Sequence, residues 1–382
     1  MSEEEIPKYT ILLSQSALDG LINYKNDIIS GKLTPGGNFD KVLQNIKKIE
    51  DISTEKFLEL ILGSKKPKLF ATSIKCDGKD YNHTEFEILG NINIAVPVDV
   101  YDNATWSPND ENFKLHVTPF QAELLYIPGP LLRKGKFVDD TPDFKEVTIN
   151  KNLDQGKYNK LIERRLSPLL AYAGETAEKE SKQAIIIIPG LGCGVFAGSF
   201  KGTLGKHLNL AIQYTIDKNG KYLTNIACII FDPYDECDIE SKNIQGIKYR
   251  IRPFTKGNGK SQLDKPEEYA EPGDDFSNCK LFKMVAWDHV SFPGNNFFLM
   301  QRKTDDGVAA AATSSMFTIT NVKGHYSNGI YYPPSEYQNW KEVVEKKNVI
   351  LRAYKNVYVY TDRGELLPLN EAEKKCQINK KN

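Results

Sequence analysis

The chain has 382 residues, 40% of them hydrophobic and 26% charged, and 50 basic side chains balance 50 acidic ones. A chain of this length builds a sizeable core, as two domains or as one large domain with an extension. Zero net charge argues against a protein held mainly by nucleic-acid backbone or an anionic membrane, and no apolar run reaches the roughly 20 residues of a membrane span.

The opening Met1-Ser2-Glu3-Glu4-Glu5 is acidic and lacks a signal-peptide pattern. Six cysteines (76, 193, 228, 237, 279 and 376) form no regular framework and no C-x-x-C pair. A reducing, cytosol-like compartment is expected. Five scattered histidines show no metal-ligand spacing, so neither a metal nor a zinc site is expected.

Residues 1–85 read as a helical N-terminal extension. Phe39, Val42, Leu43, Ile46 and Ile49 make one stripe, with Asn38 placed to cap it. A second helix carries Phe57, Leu58, Ile61 and Leu62 and closes at Gly63. No catalytic pattern stands in this part, and packing or partner binding is its expected work.

From residue 86 to 365 the pattern changes to strands alternating with helices. Strands are expected at 92–96 and 122–127, then a polar loop over 133–157. A helix on Tyr158, Leu161, Ile162 and Leu166 should end near Pro168. Ile185 to Ile188 read as a strand buried on both faces, followed by a Gly-rich loop and a helix on Leu204, Leu208, Ala211 and Ile212. Further strands are expected at 225–231, 247–252, 281–287 and 316–320, with a charged loop at 255–278 and a short helix at 305–312. Ser335-Glu336-Tyr337-Gln338 reads as a capping box for a helix through Trp340, Val343 and Val344. Strands near 349–353 and 357–360 precede a polar tail, 366–382. The expected class is α/β, a mixed sheet with helices on both faces.

The most informative stretch is 184–205. Strand, glycine-rich loop and helix N-terminus together point free N–H groups and a positive dipole end at an anion, usually a phosphate. The loop Gly190-Leu191-Gly192-Cys193-Gly194-Val195-Phe196-Ala197-Gly198 contains a match to G-x-G-x-x-A, the dinucleotide fingerprint. Asp232 ends the next strand but lies 38 residues after Gly194, later than the ~20 a nicotinamide site expects. The P-loop pattern fails, because His207 follows Gly205-Lys206. Cys193 could be a thiolate at a helix N-terminus or, more simply, a small residue fitting beside bound phosphate.

Other candidates carry carboxylates. Asp288 ends a strand, where ligands of α/β sheets collect. Asp305 and Asp306 open a helix and could equally be capping residues. His289 could act as acid or base, or simply pack.

Gly-Cys-Gly-Val-Phe-Ala-Gly after an apolar strand resembles the second phosphate loop of macrodomains. A second stretch, Val285-Ala286-Trp287-Asp288-His289-Val290-Ser291-Phe292-Pro293-Gly294-Asn295-Asn296-Phe297-Phe298, is followed by Arg302-Lys303-Thr304-Asp305-Asp306-Gly307-Val308. Together, over roughly 90–360, they resemble the MavL-like macrodomain effectors, related to poly(ADP-ribose) glycohydrolases. The resemblance implies a macrodomain fold, ADP-ribose as ligand, and removal of ADP-ribose from arginine of ubiquitin. It also implies delivery into a host cytosol, and leaves a host ubiquitin-pathway protein as a partner for the N-terminal part. It assigns catalytic positions to Asp288 and Asp306, and matches a further acidic position with Asn296, whose amide cannot serve as a base. The loop 190–198 is expected to hold the diphosphate through backbone N–H groups, with Gly190, Gly192, Cys193, Gly194, Val195 and Phe196 as ligand-binding positions, and the resemblance implies an adenine-binding carboxylate after the strand at 92–98, Asp99 or Asp102, with Asp99 favoured. An aromatic ring is expected beside the ribose or adenine: Phe196 first, with Phe297 or Tyr326 as alternatives. No cofactor is called for. Two other readings remain open, a non-catalytic ADP-ribose reader and an NAD(P)-dependent oxidoreductase using the glycine fingerprint.

Overall fold

The computed structural model describes residues 6–65, 81–133, 140–258 and 260–379. In chain order the elements are β1 (Thr10–Ser14), α1 (Gln15–Ile29), α2 (Gly37–Leu43), α3 (Thr54–Gly63), α4 (His83–Leu89), β2 (Asn93–Asp102), β3 (Leu115–Pro128), α5 (Pro142–Val147), β4 (Thr148–Ile149), β5 (Asn152–Leu153) and α6 (Gln155–Lys179). Then come β6 (Gln183–Pro189), α7 (Leu204–Asn219), β7 (Ile226–Asp232), β8 (Glu240–Ile244), β9 (Ile247–Ile251), β10 (Cys279–Trp287), α8 (Thr304–Ala312) and α9 (Ser315–Thr320). The chain closes with β11 (His325–Ser327), β12 (Ile330–Tyr332), α10 (Trp340–Lys346), β13 (Val357–Tyr360), β14 (Leu366–Pro368) and α11 (Leu369–Asn379).

Ten strands form one mixed sheet in the order β14-β13-β1-β2-β3-β10-β6-β7-β9-β8. Its centre, β3-β10-β6-β7-β9, is parallel. Side-chain alternation explains why unbroken apolar runs sit here. Ile185 and Ile187 enter the core on one face, with α1–α4 and α8–α10. Ile186 and Ile188 enter the core on the other, beneath α6 and α7. The expected α/β sheet with helices on both faces is present.

The N-terminal residues are not a helical appendage. They open with β1, which lies inside the sheet, parallel to β13 and antiparallel to β2. Their aromatics Tyr24, Phe39 and Phe57 are buried in the same core as Val285 and Trp287. The short run Thr10–Ser14 gave the strand no length to be recognised by. Likewise, the C-terminal residues are not a polar tail: β14 pairs with β13, and Leu369 and Ala372 are buried.

Several local expectations are corrected. The polar stretch 133–157 holds α5, the β4–β5 pair and the start of α6. Helix α6 runs through Pro168, because its face from Tyr158 to Ala177 is buried and offsets the lost hydrogen bond. Met316–Thr320 is helix, not strand. The Thr320 hydroxyl finds the Met316 carbonyl within the turn, and Asn321 at φ +55° ends it. Helix α2 is preceded by Gly36, with Asn38 inside it. Helix α10 starts at Trp340 with Asn339 as its cap rather than Ser335. Around 349–353 the backbone N–H groups of Arg352 and Ala353 go to Tyr9 Oη and Glu59, so no ladder forms.

Candidate functional site

Four parallel strands end on one edge of the sheet: β3 at Pro128, β10 at Trp287, β6 at Pro189 and β7 at Asp232. Trp287 stands beside Pro128 and Pro189 beside Asp232. The β10–β6 ladder stops earlier, at Lys283 beside Ile187. The two strands therefore part before their ends, which opens a crevice where ligands of such sheets bind.

One wall is the loop after β6. Gly192 has φ +73°, and a Cβ there would stand 2.8 Å from the Pro130 carbonyl oxygen. Gly198 has φ +58°, and its Cβ would meet Arg133 Cα at 2.8 Å. Both glycines are demanded by close packing on 129–133. The Leu132 amide fixes the same contact by donating to Phe196 O at 2.8 Å. Gly194 is different: a Cβ there would meet no protein atom within 4 Å. The backbone N–H groups of Gly194, Val195 and Phe196 have no acceptor among the described residues, whereas Cys193 and Ala197 donate to Gly190 O and Gly194 O. Consecutive unpaired N–H groups on a glycine turn form an anion-binding concavity. Helix α7 does not complete it. It begins only at Leu204, and the Glu236 carboxylate accepts from Gly205 N at its first turn.

Cys193 lies buried under the loop, its thiol on Leu191 O at 3.7 Å. Burial, with Glu236 and Cys237 nearby, pushes that thiol far up, so it stays protonated and packs rather than attacks. Val195 is exposed, and Phe196 is half-buried, with the Arg133 guanidinium 5.6 Å from its ring centre.

The opposite wall is acidic. Asp306 is 3% exposed, and its carboxyl accepts from Gly294 N at 2.7 Å and Asn296 N at 3.3 Å. Burial, reinforced by the charges of Asp288 and Asp305, pushes it up to about 8 against the pull of those two amides. Asp305 accepts from the buried Lys283 amine at 3.0 Å and from Ala286 N at 2.9 Å. It thereby replaces the ladder bond that β10 loses where β6 turns away. Asp288 is half-buried at the crevice, within electrostatic range of Lys65 and Asp306. Asn296 donates through Nδ2 to Thr304 Oγ1 at 2.7 Å, while its Oδ1 is buried and accepts nothing. Thr304, a β-branched residue at φ +62°, and Met300 at φ +63° mark strained backbone around this wall.

A family model described as the macrodomain effector MavL matches residues 9–337. The chain belongs to the MavL macrodomain effector family. No curated protein matches it. Among the described residues no helix is long and apolar enough to cross a membrane.

In this MavL-family chain Gly190, Gly192, Cys193, Gly194, Val195 and Phe196 lie on the loop after β6, and Asp288 follows the end of β10. Asn296 and Asp306 are joined by hydrogen bonds in the segment that runs from 294 into α8, where Asp305 accepts from Ala286 N. Of the expected ligand residues, Asp99 lies elsewhere, Phe297 is buried, and His289, its ring centre 6.4 Å from that of Phe196, is taken up in a buried pair. Asp99 pairs with Gln121, and from there to Pro128 the strand covers about 20 Å. Its carboxylate accepts from the Gln121 amide, and its backbone N–H donates to Ser314 Oγ at 2.8 Å, which holds it toward α9. The expected strand 92–98 in fact runs to Asp102 and is antiparallel, which sends its end away from the crevice. Phe297 is fully buried core. His289 is 2% exposed, stacked on Phe86 at 4.7 Å, with Nε2 on Asp143 at 3.1 Å. Arg165 meets the same carboxylate at 2.6 Å. Burial lowers His289 below its ordinary value despite Asp143, so it sits neutral in a structural pair. The alternatives Asp102 and Tyr326 are also committed: Arg302 grips Asp102 at 2.8 and 2.9 Å, and Tyr326 donates to it at 2.6 Å.

Sequence reading missed Lys65, Lys283, Asp143 and Arg165. None stands in a motif, and only the tertiary fold joins them to the site. Asp232, the ribose carboxylate a nicotinamide site would need, accepts from Tyr234 N, Phe254 N and Gln262 Nε2 at 2.9–3.0 Å. It is taken up in shaping its own loop.

Proposed function

We propose that this protein binds ADP-ribose and hydrolyses it from a mono-ADP-ribosylated protein, with arginine-linked ADP-ribosyl ubiquitin as substrate. The observation that carries the reading is the run of unpaired N–H groups at Gly194, Val195 and Phe196, matched to a pyrophosphate. Membership of the macrodomain effector family supports it.

With the diphosphate on that loop, the proximal ribose reaches toward Asp288 and Asn296. Phe196 offers a half-buried ring for the sugar to pack on. Hydrolysis breaks the bond between the anomeric carbon and the arginine nitrogen. Water supplies hydroxide to the carbon and a proton to the departing guanidine. The transition state resembles an oxocarbenium ion, which the Asp288 carboxylate stabilises while it takes the proton from the attacking water and passes it on to the departing guanidine. Asp306, protonated over much of the neutral range, shapes the 293–296 backbone without adding a second charge. Asp305 keeps β10 and α8 in register.

The test is release of ADP-ribose from mono-ADP-ribosylated ubiquitin. The parent should turn over. Asp288→Ala should slow release by about 100-fold or more while ADP-ribose affinity changes by less than about threefold. Binding without release would identify a reader, and equal rates in parent and variant would remove Asp288 from the chemistry.

A further inference from the structure

Helix α5 carries Asp143 in its first turn, 1% exposed, with both carboxylate oxygens in use. Oδ1 accepts from Arg165 Nη2 at 2.6 Å. Oδ2 accepts from Leu131 N at 2.8 Å and meets His289 Nε2 at 3.1 Å. Arg165 of α6, fully buried, also donates to Pro128 O at 3.2 Å. Buried charges persist only when paired and hydrogen-bonded, and this pair is both. Burial alone would raise the Asp143 carboxyl, but Arg165 and His289 hold it well below the usual carboxylate range. An ionised carboxylate only accepts, so the bond assigns the His289 proton to Nε2, while Nδ1 has no partner.

The bonds join parts of the chain that face each other across the crevice. Pro128 ends β3, beside Trp287 at the end of β10. Leu131 stands between Pro130, on which Gly192 packs, and Leu132, whose N–H holds Phe196 O. His289 is the residue after Asp288. One carboxylate therefore ties the segment beneath the 190–198 loop to the segment that bears Asp288. The histidine ring lies flat on Phe86, with centroids 4.7 Å apart and planes 7° from parallel. Gly90, just past α4, is required by the same packing: a Cβ there would overlap the His289 ring and stand 2.9 Å from Arg165 Nη2. Phe86 and Gly90 thus bring the N-terminal part of the chain into the support of the site.

We propose that Asp143 is a positioning residue for the hydrolysis assigned above: through Leu131 and His289 it fixes how far Asp288 stands from the diphosphate on the 190–198 loop. The proposal rests on the hydrolase reading for its purpose, but its physical content is testable without turnover. A ligand anchored at its diphosphate and cleaved at its ribose needs that distance held, since a displacement of ~1 Å costs about 100-fold in rate.

The experiment uses the full chain. His289→Phe keeps a ring on Phe86 and removes the donor, and His289→Gln gives a donor back. In turnover of mono-ADP-ribosylated ubiquitin, His289→Phe should lower kcat by about tenfold or more with KM changed by less than about threefold. His289→Gln should recover most of that rate. Asp143→Asn sets an amide against N–H donors and should lose kcat alike. Adding His289→Phe to it should lose little more, because both cut one tie. ¹⁵N relaxation gives the reading without turnover. The order parameter of the Asp288 amide should fall from about 0.85 to below about 0.6 in His289→Phe and stay high in His289→Gln. Where His289→Phe does not fold, Asp143→Asn carries the same readings. The parent's kcat and Asp288 order in these variants, equal losses in the two His289 variants, or a loss that falls on KM overturns the proposal. A parent that releases no ADP-ribose overturns the hydrolase reading instead, and the relaxation data still decide the tie.

Discussion

Two glycines three positions or fewer from the same bend make opposite demands. At Gly192 a side chain would run into the Pro130 backbone at a positive φ. Gly192→Val should therefore destabilise the fold by about 2–4 kcal/mol, read as a lowered urea midpoint. At Gly194 a side chain meets no protein atom, but it stands among the unpaired N–H groups. Gly194→Val should keep the parent's unfolding midpoint and lose ADP-ribose binding; retained affinity would count against the loop. Asp306 gives a pH signature. Its folded-state value, about 8, lies above the ordinary carboxylate value near 4. The folded chain thus holds a proton that the unfolded chain releases, so its stabilising contribution is full below pH ~4 and fades as pH rises through ~8. Between pH 5 and pH 8 the parent should lose about 1–4 kcal/mol more stability than Asp306→Asn, measured by urea unfolding. A parallel pH dependence in the two proteins would contradict the assignment.

At the scale of elements, the site depends on how β10 leaves the sheet. Beyond Lys283 the strand loses β6 as a neighbour, and Asp305 at the start of α8 takes up Ala286 N and the Lys283 amine. Asp305→Ala leaves a buried ammonium unpaired and should cost about 2–4 kcal/mol. Lys283→Met in the same background should recover part of that loss; an additive further loss would show that the pair is not coupled. The elements that made the site legible from residues alone were those with dense local signals. Four consecutive isoleucines could only be a strand between two cores, and the glycines after it could only be a tight loop. Met316–Thr320 carried β-branched residues yet became α9, because the Thr320 hydroxyl pairs within the turn and the Thr318 hydroxyl donates to Pro97 O of β2, on which the helix packs. Pro168 did not end α6, because burial on both sides of it outweighs one missing bond. Asp99 looked like a strand-end carboxylate. It lies well before the end of an antiparallel strand whose direction no local pattern records.

For the whole molecule, the sheet does not divide at residue 86. Strand β1 lies between β13 and β2, so the N-terminal and C-terminal segments pair with each other within one sheet. A fragment beginning at residue 86 should lack a cooperative thermal transition by circular dichroism, whereas two separable domains would leave it folded. The short strand and the distant Lys65 were hidden from sequence reading for the same reason: each gains meaning only from partners far along the chain. The charge balance and the absence of a dominant basic surface in composition agree with a small anionic ligand held by backbone groups rather than by a field of lysines. The most direct measurement is calorimetric titration of the full chain with ADP-ribose beside NAD. Saturable one-to-one binding of ADP-ribose, tighter than NAD and abolished in a folded Gly194→Val variant, is the predicted result. A natively folded parent that gives no ADP-ribose heat, or that prefers NAD, would contradict the account.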